Sequence, residues 1–199
     1  MKETQVTQTT DQSAEALLSI GEVYYRGIGV NKDYDQAFKF FQKAANMGHP
    51  NALCKLGNCY SLGHGTSRNL DRAFTCYEDA SDEGDIEATW KLGDFYWNGT
   101  SRLIQKDVTR ACDYYLDALT LTEDAQDPWN APEVYLRVAN CLKDGAGITR
   151  DVRNAYLFYR SAIDGFLDRI DSGDTSCEMA LEEAEDGALA CQKILNQKD

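Results

Sequence analysis

Three observations make this 199-residue sequence an all-α solenoid. A helix–turn–helix pattern occurs four times, and its small central residue recurs at Gly21, Gly57, Gly93 and Ala139, spaced 36, 36 and 46 residues apart. Periods of this size mark arrays in which each unit buries its apolar face against the next. Apolar residues lie at helical offsets on both sides of each turn, and the turns carry glycine at fixed places.

The first helix of each unit is read from that central residue. Five before it stand Ala16, Ala52, Ala88 and Val134; one before, Ile20, Leu56, Leu92 and Val138; three after, Tyr24, Tyr60, Tyr96 and Leu142. Offsets of four share a helical face, so each first helix is amphipathic. Alanine and glycine within that face let a neighbouring helix approach closely.

The turn follows. Gly27, Gly63, Gly99 and Gly145 stand six after the marker, where a left-handed cap is expected. Gly29, Gly65 and Gly147 stand eight after, and the third unit lacks this second glycine. Two glycines at fixed spacing predict a tight reversal. The third unit carries two insertions, a longer turn at Thr100 to Lys106 and a stretch from Thr122 to Pro132.

Each second helix opens on Asp33, Asn69, Asp107 or Asp151, whose side-chain oxygens suit an N-cap. Four residues later come Ala37, Ala73, Ala111 and Ala155, then Phe41, Tyr77, Tyr115 and Tyr159, then Ala44, Ala80, Ala118 and Ala162. This is one stripe alternating small and large. The helix pairs are predicted at 12–26 with 33–47, 50–62 with 69–83, 86–98 with 107–121, and 131–143 with 151–171.

These columns resemble Sel1-like repeats, relatives of tetratricopeptide repeats. The first unit runs from Ala16 through Gly21, Tyr24, Gly27, Gly29, Asp33 and Ala37 to Gly48, with Ile20 for leucine and Phe41 for tyrosine as its main departures. The fourth departs most, with Val134, Ala139 and Leu142 for alanine, glycine and tyrosine. The resemblance covers about residues 14 to 165 and implies a right-handed α-α superhelix of antiparallel helix pairs that holds other proteins together. It also implies a non-enzyme. The expected organisation is a disordered tail over 1–11 and a single repeat domain over 12–199, with repeats at 14–49, 50–85, 86–130 and 131–172. A capping helix over 175–196 closes the array, with Cys177, Leu181, Ala184, Ala188, Cys191 and Leu195 as its apolar stripe and Glu178, Glu182, Glu185 and Asp186 on its outer face.

Net charge is −13 and pI ≈ 4.5. This argues against nucleic acid or an anionic membrane as partner and is compatible with a basic protein. No apolar run is long enough to span a bilayer, and the start MKETQVTQTTDQ lacks the apolar core of a secretory signal, so a cytoplasmic location is expected. Of the seven cysteines, Cys54, Cys59, Cys76, Cys112 and Cys141 each replace a large apolar residue of a sister unit, so the reading is free core thiols without metal. A cysteine-rich branch of the family bridges its helices with paired cysteines and has been linked to β-lactam binding; that pairing is not visible here, and neither property carries over.

In such solenoids the first helices line the concave face, so their non-core columns are the expected binding surface. Six before the marker lie Glu15, Asn51, Glu87 and Glu133; two before, Ser19, Lys55, Lys91 and Arg137; one after, Glu22, Asn58, Asp94 and Asn140; four after, Tyr25, Ser61, Trp97 and Lys143. The rows read acidic, basic, then acidic or amide, and suit a protein or peptide, with Tyr25 and Trp97 adding apolar area. The alternative is a solvated face whose charges pair with one another. Trp129, between Pro128 and Pro132, either covers the gap between the third and fourth units or anchors a partner from a loop. His64 sits in a Gly-His-Gly turn and His49 before a proline, and no acid–base dyad or phosphate loop is marked. The expectation is therefore a scaffold without cofactor. The alternative is an immunity-type protein that neutralises a basic effector or toxin, with a small-molecule hydrolase as the least supported reading.

Overall fold

Nine α-helices account for nearly all of the regular structure among the described residues of the computed structural model, which are 13–100 and 104–197. The predicted tail over 1–11 lies outside them. In order the helices are α1 (Ala14–Arg26), α2 (Tyr34–Ala45), α3 (Pro50–Leu62), α4 (Leu70–Asp82), α5 (Ile86–Asn98), α6 (Val108–Ala125), α7 (Ala131–Asp144), α8 (Val152–Asp171) and α9 (Glu178–Asn196). A single 3-10 turn, Thr175–Cys177, precedes α9.

The capping logic holds at each second helix. Asp33, Asn69, Asp107 and Asp151 each accept a backbone N–H three residues on, at 3.0 Å. The first helices end on left-handed Gly27, Gly63, Gly99 and Gly145. The second turn glycine has a separate reason. A Cβ on Gly65 would overlap the carbonyl of Tyr34 at the start of α2, and one on Gly147 would crowd Val108 and Thr109 at the start of α6. These turns abut the preceding second helix through bare backbone.

The chain forms two compact units, 1–76 and 77–199, that divide within α4. In the first, α1 packs on α2 and α2 on α3, and Phe41, Ala37, Ala44 and Ala52 are almost fully buried. In the second, α5, α6, α7, α8 and α9 pack successively, and α9 also touches α7. Its core around α7 to α9 centres on Tyr159 and Phe166, packed with Ala155, Ala162, Ala184 and Cys191.

The structure departs from expectation in four places. Ala16 is exposed, whereas Ala52, Ala88 and Val134 are fully buried; α1 is the first described helix, and Leu17 and Leu18 carry its burial instead. Helix α6 runs to Ala125 rather than to residue 121, because no glycine or proline interrupts it and buried Thr122 returns its hydroxyl to the Ala118 carbonyl at 2.7 Å. The insertion loop is thereby reduced to a few residues, opening on Gln126 with φ 50°. The C-terminal segment starts as a 3-10 turn and becomes α-helical at Glu178. Its predicted stripe is buried at Cys177, Ala184, Ala188 and Cys191, but Leu181 and Leu195 are only half-buried. Finally, all seven cysteines are free thiols, six of them buried, but Cys76 is half-buried rather than core.

Candidate functional site

Two of the central glycines, Gly21 and Gly93, admit an aromatic ring. A Cβ on Gly21 would overlap Phe41, and one on Gly93 would overlap Tyr115. Where the fourth unit has Ala139, the Tyr159 ring lies instead against Gly187 of α9. Seated this way, the Tyr115 hydroxyl donates to Asp94 at 2.8 Å and the Tyr159 hydroxyl to Asn140 at 2.5 Å. In the third and fourth repeats the residue one after the marker thus receives a hydroxyl from the second helix of its own repeat. Burial, then the Asp94 charge, raises the Tyr115 pKa well above the ordinary phenol value, so it remains a neutral donor.

Asp94 also takes Arg137 from the next repeat. The guanidinium donates from Nε at 2.8 Å and from Nη2 at 2.7 Å, a bidentate pair. Its Nη1 donates to the Glu133 carboxylate at 2.8 Å and to the Glu133 carbonyl at 2.9 Å. The guanidinium lies 3.9 Å from the centre of the Trp90 ring. Burial opposes the charge, but Asp94 and then Glu133 outweigh it and raise the Arg137 pKa above its ordinary value. Glu133 also faces Arg169 at 3.7 Å, and Arg169 holds Asp174 at 2.7 Å. Burial disfavours the Asp174 charge, but bonds from Ser176 and Arg169 win and lower its pKa. Carboxylates and guanidiniums therefore alternate from α5 through α7 and α8 to the turn before α9.

This network floors a cleft of about 280 Å³ between α5, α7 and α9. Five of the predicted residues, Asp94, Trp97, Glu133, Arg137 and Asn140, line it. Trp97 leans on Tyr115, with ring centres 6.3 Å apart. Asn140 donates to Glu183 of α9 at 2.9 Å. The sequence columns did not reveal Glu183, because α9 lies outside the repeat register. Lys143, predicted beside these, lies over the Tyr159 ring and 4.0 Å from Asp144. Glu87 and Lys91 pair with each other at 3.6 Å, and Lys91 covers Trp90.

The remaining predicted residues of the first-helix columns belong to the first unit. Glu22 pairs with Arg26 at 2.9 Å and with Lys55 at 4.0 Å. The Tyr25 hydroxyl meets His64 Nδ1 at 3.0 Å, and the imidazole stacks on Tyr34 with centres 4.0 Å apart. Burial, followed by Cys59 and Tyr34, pushes the Tyr25 pKa up to about 12. Ser19 is exposed on α1, and Asn51 and Asn58 are half-buried on α3. The basic row read as a peptide grip is thus engaged inside the protein. Lys55, Lys91 and Arg137 each face a carboxylate, and Arg137 commits four of its five N–H donors to Asp94 and Glu133.

His64 is stacked and bonded, and His49 Nε2 meets Glu15 at 2.9 Å. Among the described residues no group of three His, Cys, Asp or Glu side chains is placed to hold a metal ion. Also among them, no helix is long and apolar enough to cross a membrane.

The Sel1 repeat pattern matches residues 14–49, 50–85, 86–120 and 132–165. The chain belongs to the Sel1 repeat family. Sel1 repeats generally serve protein–protein interaction as scaffolds. This Sel1 repeat protein resembles a Sel1 repeat protein from Oxalobacter formigenes, with 30% identity and a TM-score of 0.64 over 76% of this chain and 59% of that one. It also shares its fold with c5321, a protective antigen present in uropathogenic Escherichia coli strains, at 21% identity and a TM-score of 0.62 over 84% of this chain and 32% of that one. The chain spans less than two thirds of either structure. No curated protein matches it in sequence.

Proposed function

We propose that this Sel1 repeat protein is a non-catalytic scaffold that holds a protein or peptide segment in the cleft between α5, α7 and α9. The observation that carries this reading is the division of labour within the cleft. The floor is locked by the bonds of Asp94, Arg137 and Glu133, while Trp97 and Glu183 line the cleft outside that lock. A preorganised floor lowers the ordering cost of binding. The partner suited to it is basic. Glu183 is exposed beside the cleft, Glu182 and Asp186 continue the acidic face of α9, and the chain carries a net charge of −13. That acidity also favours the second reading, capture of a basic effector or toxin by an immunity-type protein.

The test is a photo-crosslinking amino acid at position 97, with position 157 as control because Leu157 is exposed on α8 away from the cleft residues. A partner crosslinked at 97 and lost with Glu183→Lys supports the proposal. Equal labelling at both positions sinks it. A captured partner that is itself a toxic basic enzyme selects the second reading.

A further inference from the structure

A second surface lies outside the cleft, where the insertion loop meets α7 and α8. Trp129, for which the sequence left open either a cover between repeats or a loop anchor, is 46% exposed. It is nevertheless fixed. Its backbone N–H donates to Asp127 at 2.8 Å, and its carbonyl accepts from Arg169 at 3.4 Å. The Arg169 guanidinium lies 4.6 Å from the ring centre. Arg169 is itself held by Asp174 and Glu133. An exposed aromatic on a rigid mount contributes contact area with little entropy left to lose.

Beside this ring runs a groove of about 350 Å³. Trp129, Pro132 and Tyr135 form one side. The other is the face of α8 at Ser161, Gly165 and Asp168. Gly165 is required there, since a Cβ would overlap the Pro132 ring. The surface is apolar except at its edge, where exposed Asp168 makes no ion pair among the described residues. Arg169, the nearest cation in sequence, is already committed to Asp174 and Glu133. Asp164 and Asp171, one turn to either side on α8, are likewise exposed. A rigid apolar slot edged by the unpaired Asp168 carboxylate selects for a side chain of each kind.

We propose that this groove binds a short linear peptide carrying an aliphatic or aromatic anchor followed closely by lysine or arginine. The anchor seats between Trp129, Pro132 and Tyr135, and the cation meets Asp168. The proposal is independent of the cleft reading.

The experiment labels the three tryptophans with 5-fluorotryptophan and assigns the Trp129 resonance with Trp129→Phe. Capped hexapeptides with a Leu or Phe anchor on a Gly-Ser background, followed by Lys, Gln or Glu, are titrated in up to millimolar amounts. Lysine peptides are expected to shift the Trp129 signal and leave Trp97 unmoved. Asp168→Lys is expected to weaken them about tenfold or more and to turn the preference toward glutamate. Ser161→Tyr, which fills the groove from an exposed position, is expected to abolish the shift. The proposal is overturned if no peptide moves Trp129, if lysine and glutamate peptides bind alike, or if Asp168→Lys changes nothing. A response at Trp97 alone assigns the binding to the cleft and also overturns it, while Trp97→Phe, expected to leave groove binding unchanged, separates the two readings.

Discussion

The two units build the same inter-repeat link from different residues. In the first, Glu22 faces Lys55 at 4.0 Å and shares its carboxylate with Arg26. In the second, Asp94 faces Arg137, from the same two columns, through bonds of 2.8 and 2.7 Å. Two substitutions account for the contrast. Arginine presents a planar fork that matches a carboxylate, whereas lysine presents a single point charge. Tyr115 donates a further bond to Asp94, while Phe41 in the first unit has no hydroxyl to give. One repeat position thus holds either a loose pair or the node of a network, depending on two neighbours distant in sequence.

The largest break in this contrast is expected from Arg137→Met, which strips Asp94 of the guanidinium it faces and leaves Glu133 to Arg169. A loss of about 3 kcal/mol is expected, against under about 1 kcal/mol for Lys55→Met, each read as a urea midpoint shift. Equal losses would erase the distinction between the units. Next comes Gly93→Ala, expected to cost about 2 kcal/mol because the ring it would strike is tethered to Asp94. Gly21→Ala should cost less, since Phe41 has no such tether, and the reverse order would refute the tether.

Tyr115→Phe is expected to cost about 1 kcal/mol, and Phe41→Tyr to gain less than that by offering Glu22 the missing donor. A loss in the second variant would show that the two columns are not interchangeable. The smallest effect is pH dependence at Asp174. Its folded pKa lies below the unfolded carboxylate value of about 3.9, so its contribution is complete above that value and drains away as pH falls through the folded pKa. Hydrogen-exchange protection in α8 and α9, taken relative to the intrinsic amide rate at each pH, should therefore fall below about pH 4 in the native protein and not further in Asp174→Asn. A fall of the same size in the variant would acquit Asp174.

Much of the fold was legible because its signals are local. The N-caps at Asp33, Asn69, Asp107 and Asp151 act over three residues, and the glycine turns act over one reversal. The end of α6 was missed for a local reason too, since Thr122 looked like loop and instead caps back onto Ala118. The site was legible only as columns. Placing Asp94, Trp97, Glu133, Arg137 and Asn140 on the first helices was enough to bring them to one cleft. It was not enough to say which would still have bonds to offer. A signal existed, in that an acid one after a marker precedes a base two before the next, at both Glu22 with Lys55 and Asp94 with Arg137. Glu183 and Gly187 had no such signal, because α9 shares no columns with the repeats.

The sequence alone determined the repeat, its caps, its turns and the alternation of small and large core residues. Each follows from helix geometry within a few residues, or from a period that the chain writes out four times. Only the tertiary structure decided that Arg137 is spent on residues as far as 43 positions away and that Trp129 stands exposed on an arginine mount. Those outcomes depend on distances between helices, where an ångström separates a bidentate pair from a loose one, and no local pattern encodes that ångström.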